Sequence, residues 1–224
     1  MKRSLIMILC IVLALSASTL GTLAYLADDD FVVNTLTVGN VKIKVDEAAV
    51  DADGKPIPGA ERTDKNTYHL IPGMGYTKDP TLTVEKGSSK SYVRMLVTLD
   101  HYSEIKVIES LGEEAFVLEN LVSEIDKNKW ILQGTKTVDQ IANTITFEYR
   151  YYKVVDASAA TSDVVLEPLF TSFTIPAQVT NDELQSIDNM KITVYGHAIQ
   201  ATGFEKASDA WTAFDQETQE EATE

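Results

Sequence analysis

The three histidines are the residues that could most readily mark a metal-dependent active site. A zinc protease carries two histidines one helical turn apart with a glutamate beside the first, as in H-E-x-x-H. His69, His101 and His197 are far apart in the sequence and lie within or at the end of strand-like segments. A zinc site assembled from distant strands stays open on this evidence, but the spacing favours ordinary strand and loop histidines.

Two other patterns could support chemistry, and both are incomplete. Residues 51–54 (DADG) resemble the start of a calcium loop, but the twelfth position, where a closing glutamate is required, holds Arg62. Asp-Gly is a favoured turn pair, so a surface turn is the preferred interpretation. Ser88, Ser89 and Ser91 lack a G-x-S-x-G context. The sequence therefore predicts no catalytic residue, no metal site and no cofactor.

Three tyrosines could form an aromatic platform for a carbohydrate. Strand alternation places Tyr149 and Tyr151 on one face with Phe147, and leaves only Tyr152 on the other face. The face that carries Phe147 is typical of a core, so packing is the preferred interpretation.

The first 24 residues are typical of a secretory signal peptide. Two basic residues precede an unbroken apolar run over residues 5–15, and small residues lead to Ala24. We therefore predict cleavage between Ala24 and Tyr25. An uncleaved membrane anchor is the alternative, since a spanning helix needs only about 20 apolar residues. The polar residues that begin at Ser16 disfavour that alternative.

Charge and cysteine content narrow the classes of function. The single cysteine, Cys10, lies in the predicted signal segment, so the mature chain would have no disulfide and no thiol chemistry. The net charge is −15, with 34 acidic against 19 basic residues. Such a surface repels nucleic acid and anionic lipid. We expect no nucleic-acid partner, and contact with a membrane only through the signal segment before cleavage.

Alternating apolar residues predict strands along most of the chain. The clearest runs cover residues 92–99, 144–154 and 191–201, and turn residues separate them from shorter runs. The pattern predicts an all-β, antiparallel, jelly-roll-like β-sandwich with a few short helical insertions. The predicted core residues are Val93, Met95, Val97, Ile145, Phe147, Tyr149, Ile192 and Val194.

Helical patterns are few. They cover residues 113–124, a short segment that begins at Asn181, and residues 208–214, where Trp211 and Phe214 share a face. We expect residues 25–214 to form a single β-sandwich domain. Residues 215–224 are rich in acids, and we expect them to form a flexible tail.

Four segments resemble the TasA/camelysin family of secreted Firmicute proteins. Residues 21–28 (GTLAYLAD) and 34–41 (NTLTVGNV) are similar to the family's start, G-T-x-A-(Y/A)-F-x-D and N-x-F-T-x-G-x-(V/L), with leucines at positions 26 and 36 in place of aromatic residues. Residues 70–80 (LIPGMGYTKDP) resemble the family's L-x-P-G-(D)-x-x-x-(K)-x segment. Residues 198–211 are similar to clostridial members.

The resemblance implies a protein of a Gram-positive type of bacterium that is secreted, and is extracellular or associated with the cell surface. Members of the family are cut by the SipW signal peptidase, and TasA-like subunits form biofilm-matrix fibres when the N-terminal strand of one subunit fills a groove in the next. Residues 25–38 then become a candidate donor strand, with Phe31 and Val33 on one face and Leu36 and Val38 on the other. The expected partners are other copies of this chain or related matrix proteins, joined by strand addition.

Three alternatives remain at this point. The N-terminal segment could be the ordinary first strand of a monomeric sandwich. The chain could be a non-polymerising accessory or cell-surface binding protein of the same fold. The family also carries a metalloendopeptidase label through camelysin, but no residues here can be assigned to a catalytic set, and a shared fold does not establish an activity. We therefore do not predict an enzyme.

Overall fold

The structure, a computed structural model, describes residues 35–111, 117–134 and 136–221. The predicted signal peptide and its cleavage site between Ala24 and Tyr25 lie outside these residues. So does the first part of the candidate donor strand, which includes Phe31 and Val33.

Strands dominate the described part of the chain. They are β1 (Thr35–Val38), β2 (Ile43–Asp46), β3 (Gly75–Thr77), β4 (Thr81–Val84), β5 (Ser91–Leu99), β6 (Trp130–Leu132), β7 (Thr137–Asp139), β8 (Thr144–Tyr151), β9 (Val164–Val165), β10 (Ser172–Thr174) and β11 (Ile192–Gln200). The helices are α1 (Tyr102–Ile105), α2 (Asn181–Ser186) and α3 (Ala207–Glu221), and short 3-10 turns cover Glu109–Leu111 and Leu118–Asn120.

The strands form three sheets. The largest has the order β1-β11-β5-β8-β6, with β7 also paired to β8. A second sheet has the order β2-β4-β9, and β3 pairs with β10. Every strand pair is antiparallel except β1 with β11, which is parallel. The prediction of an all-β, sandwich-like fold with a few short helices is confirmed, and the parallel β1 is an exception to the expected antiparallel pairing.

The core lies on one face of the largest sheet. All eight predicted core residues on β5, β8 and β11 are buried, as expected from their alternation. Gly196 of β11 marks a close approach of the second sheet, because a Cβ at this position would collide with Val45 of β2 and Leu82 of β4. A glycine is thus required where the two sheets touch.

Helix α3 covers part of the opposite face of the largest sheet. Its residues Ala207, Ala210, Trp211 and Phe214 recur at helical spacing and pack with Ile199 of β11. The predicted helix and the shared face of Trp211 and Phe214 are therefore present. The helix continues to Glu221, well into the segment that we expected to be a flexible tail.

The other two helical predictions have different outcomes. Helix α2 forms as expected, and a reciprocal capping box between Thr180 and Glu183 starts it. The described part of the predicted helix at residues 113–124 instead contains only the 3-10 turn over Leu118–Asn120. The reason is competition from β10, because Leu121 and Ser123 form backbone hydrogen bonds with that strand.

Candidate functional site

The described end of the candidate donor strand lies at an edge of the largest sheet. Strand β1 pairs with β11 in the register Thr35 with Gly196, Leu36 with His197, Thr37 with Ala198, and Val38 with Ile199. Neighbouring residues in a register share a face of the sheet. Thr37 therefore lies on the core-facing side with Ala198, whereas Val38 lies on the side that α3 covers.

The described side chains of β1, those of Thr37 and Val38, contribute little to the core between the sheets. Thr37 is exposed even though its neighbour Ala198 is fully buried. Val38 is half-buried and packs against the cluster formed by Ile199, Trp211 and Phe214. Thr37 therefore lies exposed at the edge of the sheet, and Val38 packs on its outer face.

A short connection joins β1 to the opposite sheet. Gly39 has a φ of +84°, and a Cβ there would lie 2.8 Å from the Cβ of Gln200. Asn40 follows, and its carbonyl accepts a hydrogen bond from the backbone N–H of Ser89 at 2.9 Å. Strand β2 then begins at Ile43 in the second sheet. Gly39 and Asn40 are therefore the point about which β1 could turn away from the domain.

Of the six residues predicted to act in cleavage or assembly, only Leu36 and Val38 lie within the described residues. Both are in β1, and the structure pairs them with β11 of the same chain. We expected a strand that need not pair with its own domain. The observed pairing of residues 35–38 is instead the arrangement that a monomeric sandwich would have.

The three histidines lie in unrelated environments. His101 bonds to its neighbour Asp100 through Nδ1 at 2.8 Å. His197 accepts a hydrogen bond from Arg94 Nε at 3.2 Å, and burial together with the charge of Arg94 lowers the pKa of His197 to about 4. Across the described ranges, no group of three or more His, Cys, Asp or Glu residues could hold a metal ion.

The other sequence candidates have structural roles. Asp51 Oδ1 accepts hydrogen bonds from the backbone N–H groups of Asp53 and Lys55, so this segment is a turn. Tyr149 is buried, and Tyr151 packs against Trp130 with ring centroids 5.0 Å apart. The tyrosines therefore belong mainly to packing contacts, as the alternation predicted.

Arg94 holds α3 against the sheet. Its side chain is only 5% exposed, and Nη2 lies 2.5 Å from Asp215 Oδ1 on the helix. The guanidinium also lies 4.4 Å from the centre of the Trp211 ring and 3.5 Å from Glu148. Charge and cation–π contacts thus act together at a buried position.

A cavity of about 380 Å³ opens beside helix α2. It is lined on one side by residues 67–70 and on the other by residues of α2 and the segment that leads to β11. Phe173 and Lys78 form part of its wall. A buried lysine in the wall of a partly apolar cavity requires an oppositely charged partner, because burial of an isolated charge is energetically costly.

That partner is Glu47. Lys78 Nζ lies 2.8 Å from Glu47 Oε2, and the two side chains are 1% and 0% exposed. Asn66 Nδ2 donates to Glu47 Oε1 at 2.8 Å. Sequence reasoning missed this cluster. One local signal was available. Lys78 is two residues after the apolar Tyr76 in an extended segment, so the two side chains share a face, and burial of Lys78 could have been predicted.

Comparison of this chain with protein-family models, with curated proteins and with solved structures finds no match. Across the part of the chain that the structure describes, no helix combines the length and the apolar character that crossing a membrane requires.

Proposed function

We propose that this chain is a secreted structural protein of a Gram-positive type of bacterium, a TasA-like subunit of an extracellular matrix that assembles by exchange of its N-terminal strand. The proposal rests on the way in which β1 pairs with the edge of its own sheet. It is a four-residue parallel strand at a sheet edge, and it places one half-buried side chain, Val38, against the outer cluster. A short edge strand whose described side chains, Thr37 and Val38, bury so little surface can leave its own domain at low cost.

Exchange between copies would preserve the contacts of β1. The strand that leaves one copy exposes the edge of β11, and an identical β1 from a neighbour offers the same backbone groups in the same register. Main-chain hydrogen bonds provide affinity in such strand addition. The short connection at Gly39 and Asn40 would act as the hinge, and the preceding residues 25–34 would extend the contact. A SipW-type signal peptidase would release this segment during export.

The second candidate is a non-polymerising accessory or cell-surface binding protein of the same fold. The pairing of β1 with β11 of its own chain favours it, because a strand that remains in place offers nothing to a neighbour. No arrangement among the described residues favours a metalloendopeptidase, so we do not propose that activity.

A pair of cysteines distinguishes the two candidates. Thr37 and Ala198 are register partners. Paired strands lie about 4.8 Å apart, within the Cα separation of about 4.4–6.8 Å that a disulfide accepts. A mature chain that starts at Tyr25 contains no other cysteine, since Cys10 precedes it. The Thr37→Cys/Ala198→Cys variant would therefore report which chain supplies β1.

Strand exchange predicts a ladder of covalent oligomers after mild oxidation, seen on a non-reducing denaturing gel, together with filaments in negative-stain microscopy. The Thr37→Cys variant alone is the control, and it should give dimers at most. A single band of internally cross-linked monomer at high protein concentration, with no filaments, would reject exchange and support the accessory protein.

A further inference from the structure

Three polar side chains meet in the interior beside the cavity. They are Lys78 directly after β3, Glu47 directly after β2, and Asn66 in the loop between these strands. All three are buried, and Asn66 is the most exposed of them at 8%. Lysine and glutamate are almost never buried to this extent unless they are paired, and here an amide side chain joins the pair as well.

The two carboxylate oxygens of Glu47 accept hydrogen bonds from the Lys78 amine and from the Asn66 amide. Oε2 lies 2.8 Å from Lys78 Nζ, and Oε1 lies 2.8 Å from Asn66 Nδ2. The amide oxygen of Asn66 accepts a hydrogen bond from the backbone N–H of Val50 at 2.9 Å. The Glu47 carboxylate thus contacts both the Lys78 amine, a potential nucleophile, and the amide nitrogen of Asn66. The backbone N–H of Val50 polarises the amide carbonyl of Asn66.

We propose that Lys78 and Asn66 form an intramolecular isopeptide bond, with Glu47 as the proton carrier. Glu47 first accepts a proton from the Lys78 ammonium. The neutral amine then attacks Cγ of Asn66, and the N–H of Val50 stabilises the charge that develops on Oδ1. Glu47 gives its proton to Nδ2 and takes one from the new Nζ–Cγ linkage.

The step is balanced without any co-reactant. The Cγ–Nδ2 bond breaks as the Nζ–Cγ bond is retained, and ammonia leaves. Nothing is oxidised or reduced, and the carboxyl of Glu47 ends in its protonated form. The chain loses one nitrogen and three hydrogen atoms.

The surroundings suit this reaction. Burial of the three side chains strengthens their hydrogen bonds and limits the access of water to the reacting acyl group. Lys78 lines the cavity of about 380 Å³, so the amine end of the cluster lies beside open space. The same cavity provides a route by which ammonia can leave. The Tyr68 ring, 6.0 Å from Nζ, closes one side.

The bond would join the loop after β2 to the end of β3. It would close a ring of residues 66–78, which includes the loop that lines one side of the cavity. In a mature chain without cysteine, such a link would restrict the unfolded state in the manner of a disulfide.

Mass spectrometry of the purified, folded mature protein tests the proposal. We expect an intact mass below that of the linear chain by one ammonia molecule. Trypsin should fail to cleave after Lys78, and chymotrypsin should release the Asn66 and Lys78 peptides joined to each other. A succinimide at Asn66 would give the same intact mass, but it would leave Lys78 open to trypsin and the two peptides separate.

Replacement of the proton carrier provides the matched comparison. Glu47→Gln keeps the side chain's size but cannot carry the proton, so this variant should have the linear mass and a cleavable Lys78. The control variant Glu61→Gln, at an exposed glutamate, should retain the mass loss. If Glu47→Gln does not fold, the intact mass of the wild-type protein and its cleavage after Lys78 test the proposal by themselves. A folded wild type that keeps the linear mass and is cleaved after Lys78 overturns the proposal.

Discussion

Deletion of residues 25–38 is the perturbation that most directly probes the proposed assembly strand. In the exchange hypothesis these residues act between copies, so a chain that starts at Gly39 should remain folded and soluble. In a monomer that uses the segment to cover its own core, the same deletion should unfold the domain. The two hypotheses therefore differ in the fate of the shortened chain and in whether the intact protein polymerises.

The expected loss of stability can be worked out from the described part of β1. Val38 is half-buried, and complete burial of such a side chain contributes about 1.5–3 kcal/mol, so its share is about 1 kcal/mol. The backbone hydrogen bonds of β1 contribute about 1 kcal/mol each. Ordering each strand residue costs about 1–2 kcal/mol, which offsets them. We therefore expect loss of the described part of β1 to lower the free energy of unfolding by about 1 kcal/mol, out of about 5–15 kcal/mol for a typical domain.

Denaturant unfolding measures this loss directly. Trp130 and Trp211 are both buried, so their fluorescence reports the main core and the α3 cluster. A synthetic peptide of residues 25–38 should bind the shortened domain and restore its midpoint, and a peptide of the same composition in scrambled order is the control. The intact mature protein should polymerise, whereas the shortened one should not. An unfolded deletion variant, together with an intact protein that stays monomeric at high concentration, would refute the reasoning.

Three further predictions concern the domain itself. Arg94→Met should lower the free energy of unfolding by about 1–3 kcal/mol, because it removes the charge-assisted contacts of Arg94 to Asp215, whose side chain is 49% exposed and stays solvated; Lys90→Met, at an exposed ion pair, is the control and should change it by less than about 1 kcal/mol. Gly196→Ala should cost about 1–3 kcal/mol by overpacking the two sheets, and an unchanged denaturation midpoint would contradict this. His197 has its pKa lowered to about 4 by burial and by Arg94, against about 6.5 when unfolded. The neutral His197 side chain therefore contributes fully to the free energy of unfolding above pH 6.5, and this contribution falls by up to about 3 kcal/mol as the pH drops towards 4. Denaturation curves of His197→Gln should not show this part of the loss of stability at low pH.

Local patterns predicted much of the fold because strand and helix periods are properties of neighbouring residues. The alternation around Val97 and Phe147 identified their buried faces, since successive side chains of a strand point to opposite sides. The spacing of Trp211 and Phe214 identified the apolar face of α3 in the same way. The apolar pattern near Leu121 suggested a helix, but the hydrogen-bonding partner of this segment was a strand elsewhere in the chain.

The candidate assembly site was predictable in position but not in pairing. The sequence alone determined that residues 35–38 favour a strand, because apolar side chains alternate there with β-branched threonines. Only the tertiary structure decided that this strand is parallel to β11 and that Thr37 stays exposed. Strand pairing depends on which edge is free and on how the chain reaches it, and neither is recorded in the local pattern.

The buried cluster shows the same division most clearly. The sequence determined that Glu47 follows one strand and that Lys78 shares a face with Tyr76, but nothing local indicated that the two charges meet. Only the tertiary structure brought Glu47, Asn66 and Lys78 together at buried positions. Whether a charged side chain meets a partner or the solvent depends on the packing of distant segments, because burial is a property of the assembled layers and not of the residue.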